Sequence, residues 1–318
     1  MFGWILGGVL GLGLMIAILA VVICFYRIFY TNRKEKIEEY PALAMEEYQP
    51  YREQTLLWME ENRTVRYTEV SIRSFDGLLL YGKYYEYEKG APIELMIHGY
   101  RGSAECDLAC GRERCFTLGH SALIIDHRAC GKSEGNVITF GVLESRDILM
   151  WIDYIIEKID KDAKIILTGI SMGASTAMIC AGETLPKNVV GVLADCGYSS
   201  AKEIIQKVMA EMKLPPKLLY PFAKLAAKLL GHFDLEEKSP IEAMKRCRLP
   251  IIFFHGESDN MVPCDMSLKN YEACASKNKK LVTVKGAGHV LSFMVDQENY
   301  YKELREFFDP LLKEAMTV

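Results

Sequence analysis

The sequence predicts an α/β fold, a mostly parallel sheet with helices on both faces, and three observations predict it. Short, almost wholly apolar runs at 93–97, 122–126, 164–168, 189–194, 250–255 and 281–284 read as strands buried on both faces. Between them lie segments of helical period, clearest over 143–158. There Ile148, Trp151, Ile152 and Ile155 share one face, while Glu144, Arg146 and Asp147 can face solvent. The third observation is the stretch 164–178, a buried strand that runs straight into a helix through Gly169-Ile170-Ser171-Met172-Gly173.

In chain order, the first feature is an uncharged run over 2–25, rich in Leu, Ile, Val, Gly and Ala. As a helix it measures about 36 Å, enough to cross a bilayer with some tilt. Trp4 at one end and Tyr26 and Tyr30 at the other fit interfacial aromatic belts. No basic segment precedes the run and no small-x-small site follows it. Ile23 also stands where a lipoprotein signal needs a small residue before its cysteine. Residues 1–30 therefore read as a retained transmembrane anchor. Arg27, Arg33, Lys34 and Lys36 follow the span, so the positive-inside rule predicts a single-pass cell-membrane protein with its domain on the cytoplasmic side. Gly3, Gly7 and Gly11, at four-residue spacing, offer a face for self-association.

Residues 31–64 are charged and tyrosine-rich with scattered apolar positions such as Leu56, Leu57 and Met59, and read as a helical stalk. The main domain is expected over 65–318. It opens with β-rich runs at 65–74 and 78–85, joined through Phe75-Asp76-Gly77, a strong hairpin signal. The strand and helix alternation then follows, broken once: more than fifty residues separate Asp195 from Pro250, too many for one crossover helix. Within them 201–212 and 221–230 have helical spacing and are separated by Pro215-Pro216. This insertion, at about 198–245, reads as a cap over the carboxyl ends of the strands, where open α/β sheets bind ligands.

Composition narrows the function classes. At 318 residues and 50% apolar, the chain has ample material for a core. A formal charge of -4 and a pI near 6.0, with no long basic block, exclude a nucleic-acid role. Ten cysteines without a pairing framework point to a reducing compartment. Cys106, Cys110 and Cys115 lie closest together, but C-x3-C-x4-C lacks the paired C-x2-C halves of a zinc site. No internal repeat is present.

The chemistry centres on Ser171. A serine on a sharp strand-to-helix turn, flanked by Gly169 and Gly173, is exposed at a helix N-terminus, where the Met172 amide and the helix dipole favour developing negative charge. Such a nucleophile needs a base, and the base an acid. Of six histidines, His289 is the preferred base, since Gly286-Ala-Gly-His-Val290 is a glycine-bracketed loop after the last strand. His98 and His255 sit in His-Gly pairs at strand ends, where a structural role is expected, and His120, His127 and His232 have no partner motif. Asp259, in the turn Gly256-Glu-Ser-Asp-Asn-Met-Val-Pro263 after a strand, is the preferred acid, with Asp195 as main rival and Glu257 as a lesser one.

The order Ser171, Asp259, His289 is that of the α/β-hydrolases. From about Val65 to Leu312 the chain resembles an α/β-hydrolase of the bacterial serine-aminopeptidase-like and esterase-like group. His98-Gly99-Tyr100-Arg101-Gly102 matches that family's H-G-x-x-G oxyanion loop, and Asp126-His-Arg-Ala-Cys-Gly-Lys-Ser-Glu-Gly135 resembles its D-x-R-G-x-G-x-S loop. The resemblance implies an α/β-hydrolase fold with oxyanion donors at the backbone amides of Tyr100 and Met172. The departure is Ala129-Cys130, where the family usually carries Gly-His, and it bears on substrate contacts.

The expected activity is that of a membrane-anchored serine hydrolase cleaving carboxylic esters, with no metal and no organic cofactor. Ester cleavage is preferred to peptide cleavage, because the cap is apolar and no anchor for a peptide terminus is evident. Thioesterase, acyltransferase and aminopeptidase-like activities share the same acyl-enzyme and stay open. A catalytically silent scaffold is the alternative of another class. The expected partners are a small-molecule or lipid-like acyl substrate and the membrane, with no nucleic acid.

Overall fold

The computed structural model describes residues 2–32 and 45–314. Helix α1 (Phe2–Cys24) continues through a π-helical stretch over Phe25–Phe29, and a 3-10 turn at Glu46–Tyr51 leads into α2 (Arg52–Thr64). Strands β1 (Thr68–Arg73), β2 (Leu79–Tyr85) and β3 (Ile93–Ile97) follow, then α3 (Ala104–Asp107), α4 (Gly111–Thr117) and β4 (Ser121–Ile125). Next come α5 (Glu144–Tyr154), β5 (Ile165–Ile170), α6 (Met172–Ala181) and β6 (Val189–Asp195). The long insertion holds α7 (Ala201–Glu211), α8 (Pro216–Leu229) and α9 (Pro240–Met244). The chain closes with β7 (Ile251–Gly256), α10 (Cys264–Ala273), β8 (Lys279–Val284), α11 (Ser292–Val295) and α12 (Gln297–Glu314).

The eight strands form one sheet in the order β1-β2-β4-β3-β5-β6-β7-β8. The β1–β2 and β2–β4 pairs are antiparallel and all later pairs parallel. Burial explains the composition of each strand. Every residue of β3, β4 and β7 is buried, as a strand covered on both faces requires, whereas β1 alternates, as expected at an open edge. The hairpin turns through Gly77 at φ 91°. The expected strands are all present, with ends within about two residues except at the hairpin.

One face of the sheet packs Ile148, Trp151, Ile152 and Ile155 from α5 and its extension, with Ala174, Ala177 and Met178 of α6. The opposite face packs Tyr300, Leu304, Phe307 and Phe308 of α12. The charged side of α5 departs from expectation: Glu144 and Asp147 are buried. Glu144 accepts from the amides of Thr139 and Gly141, and Asp147 forms a bidentate pair with Arg128 at 2.7 Å, so each carboxylate is buried with the donors that make burial tolerable. Helix α8 begins at Pro216, not near Pro221. Pro215 stands at its N-cap and Pro216 at N1, where the missing N–H costs nothing.

The described part of the segment read as a stalk is helical and lies against the domain. Tyr48, Trp58 and Met59 are buried beside Phe254, Leu291 and Phe293, with Trp58 and Phe293 ring centroids 6.2 Å apart. Leu56 and Leu57 face outward. The stretch 33–44, with Arg33, Lys34 and Lys36 on which the orientation expectation partly rests, lies outside the described residues. Along α1, Gly7 and Gly11 have open space around them.

Candidate active site

Ser171 sits between β5 and α6 with φ 53° and ψ -119°, a conformation that L-residues rarely adopt and that costs about 1–3 kcal/mol. The two motif glycines make the turn feasible. A Cβ on Gly169 would lie 2.2 Å from the Gly173 carbonyl oxygen, and one on Gly173 would lie 2.1 Å from that of Ile97. The helix therefore approaches the ends of β5 and β3 as closely as backbone permits. The Ser171 amide donates to Asp195 O at 2.9 Å, which fastens the turn to the end of β6.

Three of the predicted residues meet. His289 Nε2 lies 2.9 Å from Ser171 Oγ, and His289 Nδ1 lies 2.7 Å from Asp259 Oδ2. With Nδ1–H donating to the carboxylate, Nε2 is free to accept the serine proton. Burial alone would push the Asp259 carboxyl up, but hydrogen bonds from His255 and His289 outweigh it and hold the group well below the usual carboxylate range. The Met261 and Val262 amides also donate to its other oxygen at 2.9 and 2.8 Å. Asp259 is thus a fixed anion beside His289.

The rival Asp195 is placed elsewhere. Its carboxylate accepts from Ser292 and Tyr300, each at 3.1 Å, and burial pushes its pKa up. Glu257 accepts from Thr283 at 2.8 Å. His255 has a role that its His-Gly pairing did not reveal. Its Nε2 contacts both Val262 O, at 2.7 Å, and Asp259 Oδ2, at 3.2 Å, so the proton that the carbonyl requires is shared with the acid.

The loop after β3 lies directly against Ser171. A Cβ on Gly99 would stand 3.5 Å from Ser171 Cβ, which brings the backbone of Gly99-Tyr100 beside the start of α6. His98 props this loop from below: Nδ1 donates to Gly99 O at 2.8 Å, while Nε2 accepts from the His127 amide at 2.9 Å. Gly99 N donates to Asp107 Oδ2 at 2.9 Å. Tyr100 follows Gly99 in this loop, and Met172 is the first residue of α6.

The loop that resembles D-x-R-G-x-G-x-S braces the first. Asp126 accepts from the amides of Ala104 and Lys132 at 2.8 and 2.9 Å, and Arg128 also reaches Asp76 at 2.9 Å. Ala129 has φ 63°, which explains why glycine is the usual residue there. Cys130 is buried in the cluster that includes Met172, Phe140 and Tyr198.

Two contributions come from segments in which the sequence showed no chemistry. The Tyr48 hydroxyl donates to His289 O at 2.6 Å. The end of the N-terminal helix reaches the loop after β3: Tyr100 OH donates to Ile28 O at 2.6 Å, and Arg101 donates to Arg27 O and Tyr30 O, each at 3.0 Å. Phe29 is fully buried, edge-on to Phe140 and Phe233 with centroids 5.9 and 5.5 Å away. A lone tyrosine in a charged segment and one more aromatic after an apolar run carry no local signal of such contacts.

All ten cysteines are free thiols. Among the described residues, Cys196, Asp259 and His289 form a group of metal-ligand type. His289 and Asp259 of this group are already joined by the 2.7 Å hydrogen bond.

No protein-family model matches the chain. It is 30% identical to YqkD of Bacillus subtilis (strain 168) over 193 residues, which are 60% of this chain and 63% of YqkD. The match thus spans under two thirds of that relative. The esterase Pf2001 of Pyrococcus furiosus superposes with a TM-score of 0.64 at 23% identity, covering 79% of this chain and 94% of the esterase. The α/β hydrolase GrgF from Penicillium sp. sh18 gives a TM-score of 0.62 at 18% identity, covering 80% and 100%. With its strand order and the serine turn between β5 and α6, the chain is a protein of the α/β-hydrolase fold.

Proposed function

We propose that the chain is a serine hydrolase, and that it cleaves carboxylic esters through an acyl-enzyme. The observation that carries this reading is the unbroken line of hydrogen bonds from Ser171 Oγ through His289 to Asp259, at 2.9 and 2.7 Å, built on a strained strand-to-helix turn. Esterases of the same fold support the choice of substrate class.

In the proposed reaction Ser171 Oγ attacks the ester carbonyl as its proton passes to His289 Nε2. The imidazolium is stabilised by Asp259, which stays ionised. The carbonyl oxygen becomes an anion facing the amides of Tyr100 and Met172, each such donor being worth about 3 kcal/mol in the transition state. His289 then protonates the leaving alcohol, accepts a proton from water attacking the acyl-enzyme, and returns it to Ser171. Nothing in this sequence requires a metal or cofactor.

The helix α1 serves in this reading as a membrane anchor. Within its apolar span Gly7–Phe29 an 18-residue window reaches a mean hydropathy of 2.8, and the Lys and Arg residues that follow favour the cytoplasmic side for the domain. The test of the activity is hydrolysis of p-nitrophenyl esters of graded length by the full chain in detergent. The native chain should turn over, Ser171→Ala should be reduced by about 10³-fold or more, and Asp259→Asn by a similar order. A folded native chain without turnover on any of these esters would contradict the reading.

A further inference from the structure

Helix α8 of the insertion is held on one side only. Tyr220, Ala223, Ala226 and Ala227 are buried in the cluster that also contains Val21, Cys24, Phe25 and Phe29, so α8 packs against the second half of α1. On its outer side Leu218, Leu225 and Leu229 are 63%, 42% and 56% exposed and fall within about 40° of one another around the helix. Lys217, Lys224 and Lys228, each one residue earlier, form the adjoining outward row, Lys224 also reaching Glu236. A leucine row beside a lysine row is the pattern of a helix lying in a membrane interface, where leucines enter the acyl boundary and lysines meet phosphates.

The dimensions of α1 point independently to the same surface. Val21, Cys24, Phe25 and Phe29 are buried against the domain, and Ala17 and Ala20 are half-buried. The part that stands clear ends near Ile16, and from Phe2 it measures only about 22 Å. A hydrocarbon core is about 30 Å thick, and tilt shortens the reach further. Once α1 spans, the flank beside its second half must sink by about 8 Å, within the depth at which interfacial helices lie. That flank is α8.

We infer that the outer face of α8 docks on an anionic lipid bilayer, and that the esters reaching Ser171 are acyl esters held in the membrane. The second part rests on the serine-esterase reading. The first rests on α1 and α8 alone. The foot of α1 joins the two, because Ile28 and Tyr30 are bonded to Tyr100 and Arg101 of the loop beside Ser171. An ester leaving the bilayer along α1 therefore arrives at the nucleophile.

The test uses the full chain in phosphatidylcholine and phosphatidylglycerol vesicles with brominated acyl chains. The tryptophan emission that Leu225→Trp adds to that of the parent should be at least half quenched. The triple variant Leu218→Asp, Leu225→Asp, Leu229→Asp should hydrolyse vesicle-borne dioleoylglycerol at least tenfold more slowly than the parent, with turnover of soluble p-nitrophenyl butyrate within twofold. Unquenched Leu225→Trp overturns the docking, including the case in which the chain sediments as a dimer and the face pairs with a second copy. Equal loss on both esters, or no loss on either, overturns the membrane source of the substrate. A parent inactive on p-nitrophenyl butyrate would instead sink the esterase reading, while the quenching still decides the docking.

Discussion

Tyr48 donates its hydroxyl proton to the carbonyl oxygen of His289, 2.6 Å away across 241 positions of sequence. Both partners are buried, and the contact joins the segment that precedes the sheet to the loop that carries His289. Val290, the next residue, has φ 61°, so this loop is a backbone under strain held by its neighbours.

Tyr48→Phe keeps the ring in place and leaves the His289 carbonyl without its donor. A buried acceptor stripped of its partner costs about 1–3 kcal/mol. The expected outcome is a loss of stability in that range by urea unfolding, with a several-fold fall in kcat and little change in KM as the imidazole loses its fixed position. Unchanged stability and kcat would show that the contact does not steady the base.

Ala129 pays for a left-handed conformation at φ 63°, a strain of about 1–2 kcal/mol for an L-residue. Ala129→Gly removes that strain, offset in part by the greater freedom of the unfolded glycine. The net gain should be about 0.5–1 kcal/mol, measured as a higher urea midpoint with an unchanged slope. A lower midpoint would mean that the alanine methyl packs better than its backbone suffers.

Glu94 lies within β3, almost wholly buried, and accepts from His120 at 2.9 Å and Thr168 at 2.7 Å while paired with Arg114. Burial would push this carboxyl up, but the Arg114 guanidinium and His120 outweigh it and hold it well below the usual range. Asp259 is depressed in the same direction. Between the folded and unfolded pKa values of such groups the unfolded chain binds more protons, so stability rises with pH there. Their contribution is fully present above the unfolded values of about 4 and is lost as pH falls towards the folded ones. Unfolding free energy should therefore drop below about pH 4. Glu94→Gln should shallow that drop, after costing about 3–5 kcal/mol at neutral pH by leaving Arg114 buried without its counter-charge. An unaltered acid slope in the variant would exclude Glu94 from it.

Gly173→Ala probes the closeness of α6 to β3. Its methyl would lie 2.1 Å from Ile97 O, a distance that only displacement of the helix start relieves. Since Ser171 and Met172 ride on that helix start, kcat should fall by about 10²-fold or more. Far-UV circular dichroism should stay close to that of the native chain. Retained activity would mean that the turn tolerates a wider approach than the structure shows.

What could be read in the sequence follows from how local each signal is. Strands buried on both faces are mostly apolar, and so the runs at β3, β4, β5 and β7 declare themselves despite single polar residues such as Glu94 and Thr168. The serine turn and the histidine loop are equally plain, because their backbone geometry demands glycine at fixed spacing. The burial of Glu144 and Asp147 was not legible, since helical period assigns a charged face to solvent, and only the distant Arg128 and the amides of Thr139 and Gly141 reveal otherwise. The same holds for Tyr48, for His255 beneath Asp259, and for Phe29 beside Phe140. Tyr48 and Phe29 act through contacts made far along the chain, whereas His255 meets Asp259 only four residues on, where a His-Gly pair at a strand end gives no local signal of it. The start of α8 was misplaced for another reason: a Pro-Pro pair breaks a helix in its interior but begins one at N1.

The central claim is that Ser171 is an activated nucleophile, and intact-mass analysis after treatment with a fluorophosphonate tests it most directly. The full chain in detergent should gain the mass of one phosphonyl group, located on Ser171 by peptide mapping, with no adduct in Ser171→Ala and a rate at least 100-fold lower in His289→Ala. A folded native chain that stays unmodified, or that carries the adduct on another residue, would contradict the account.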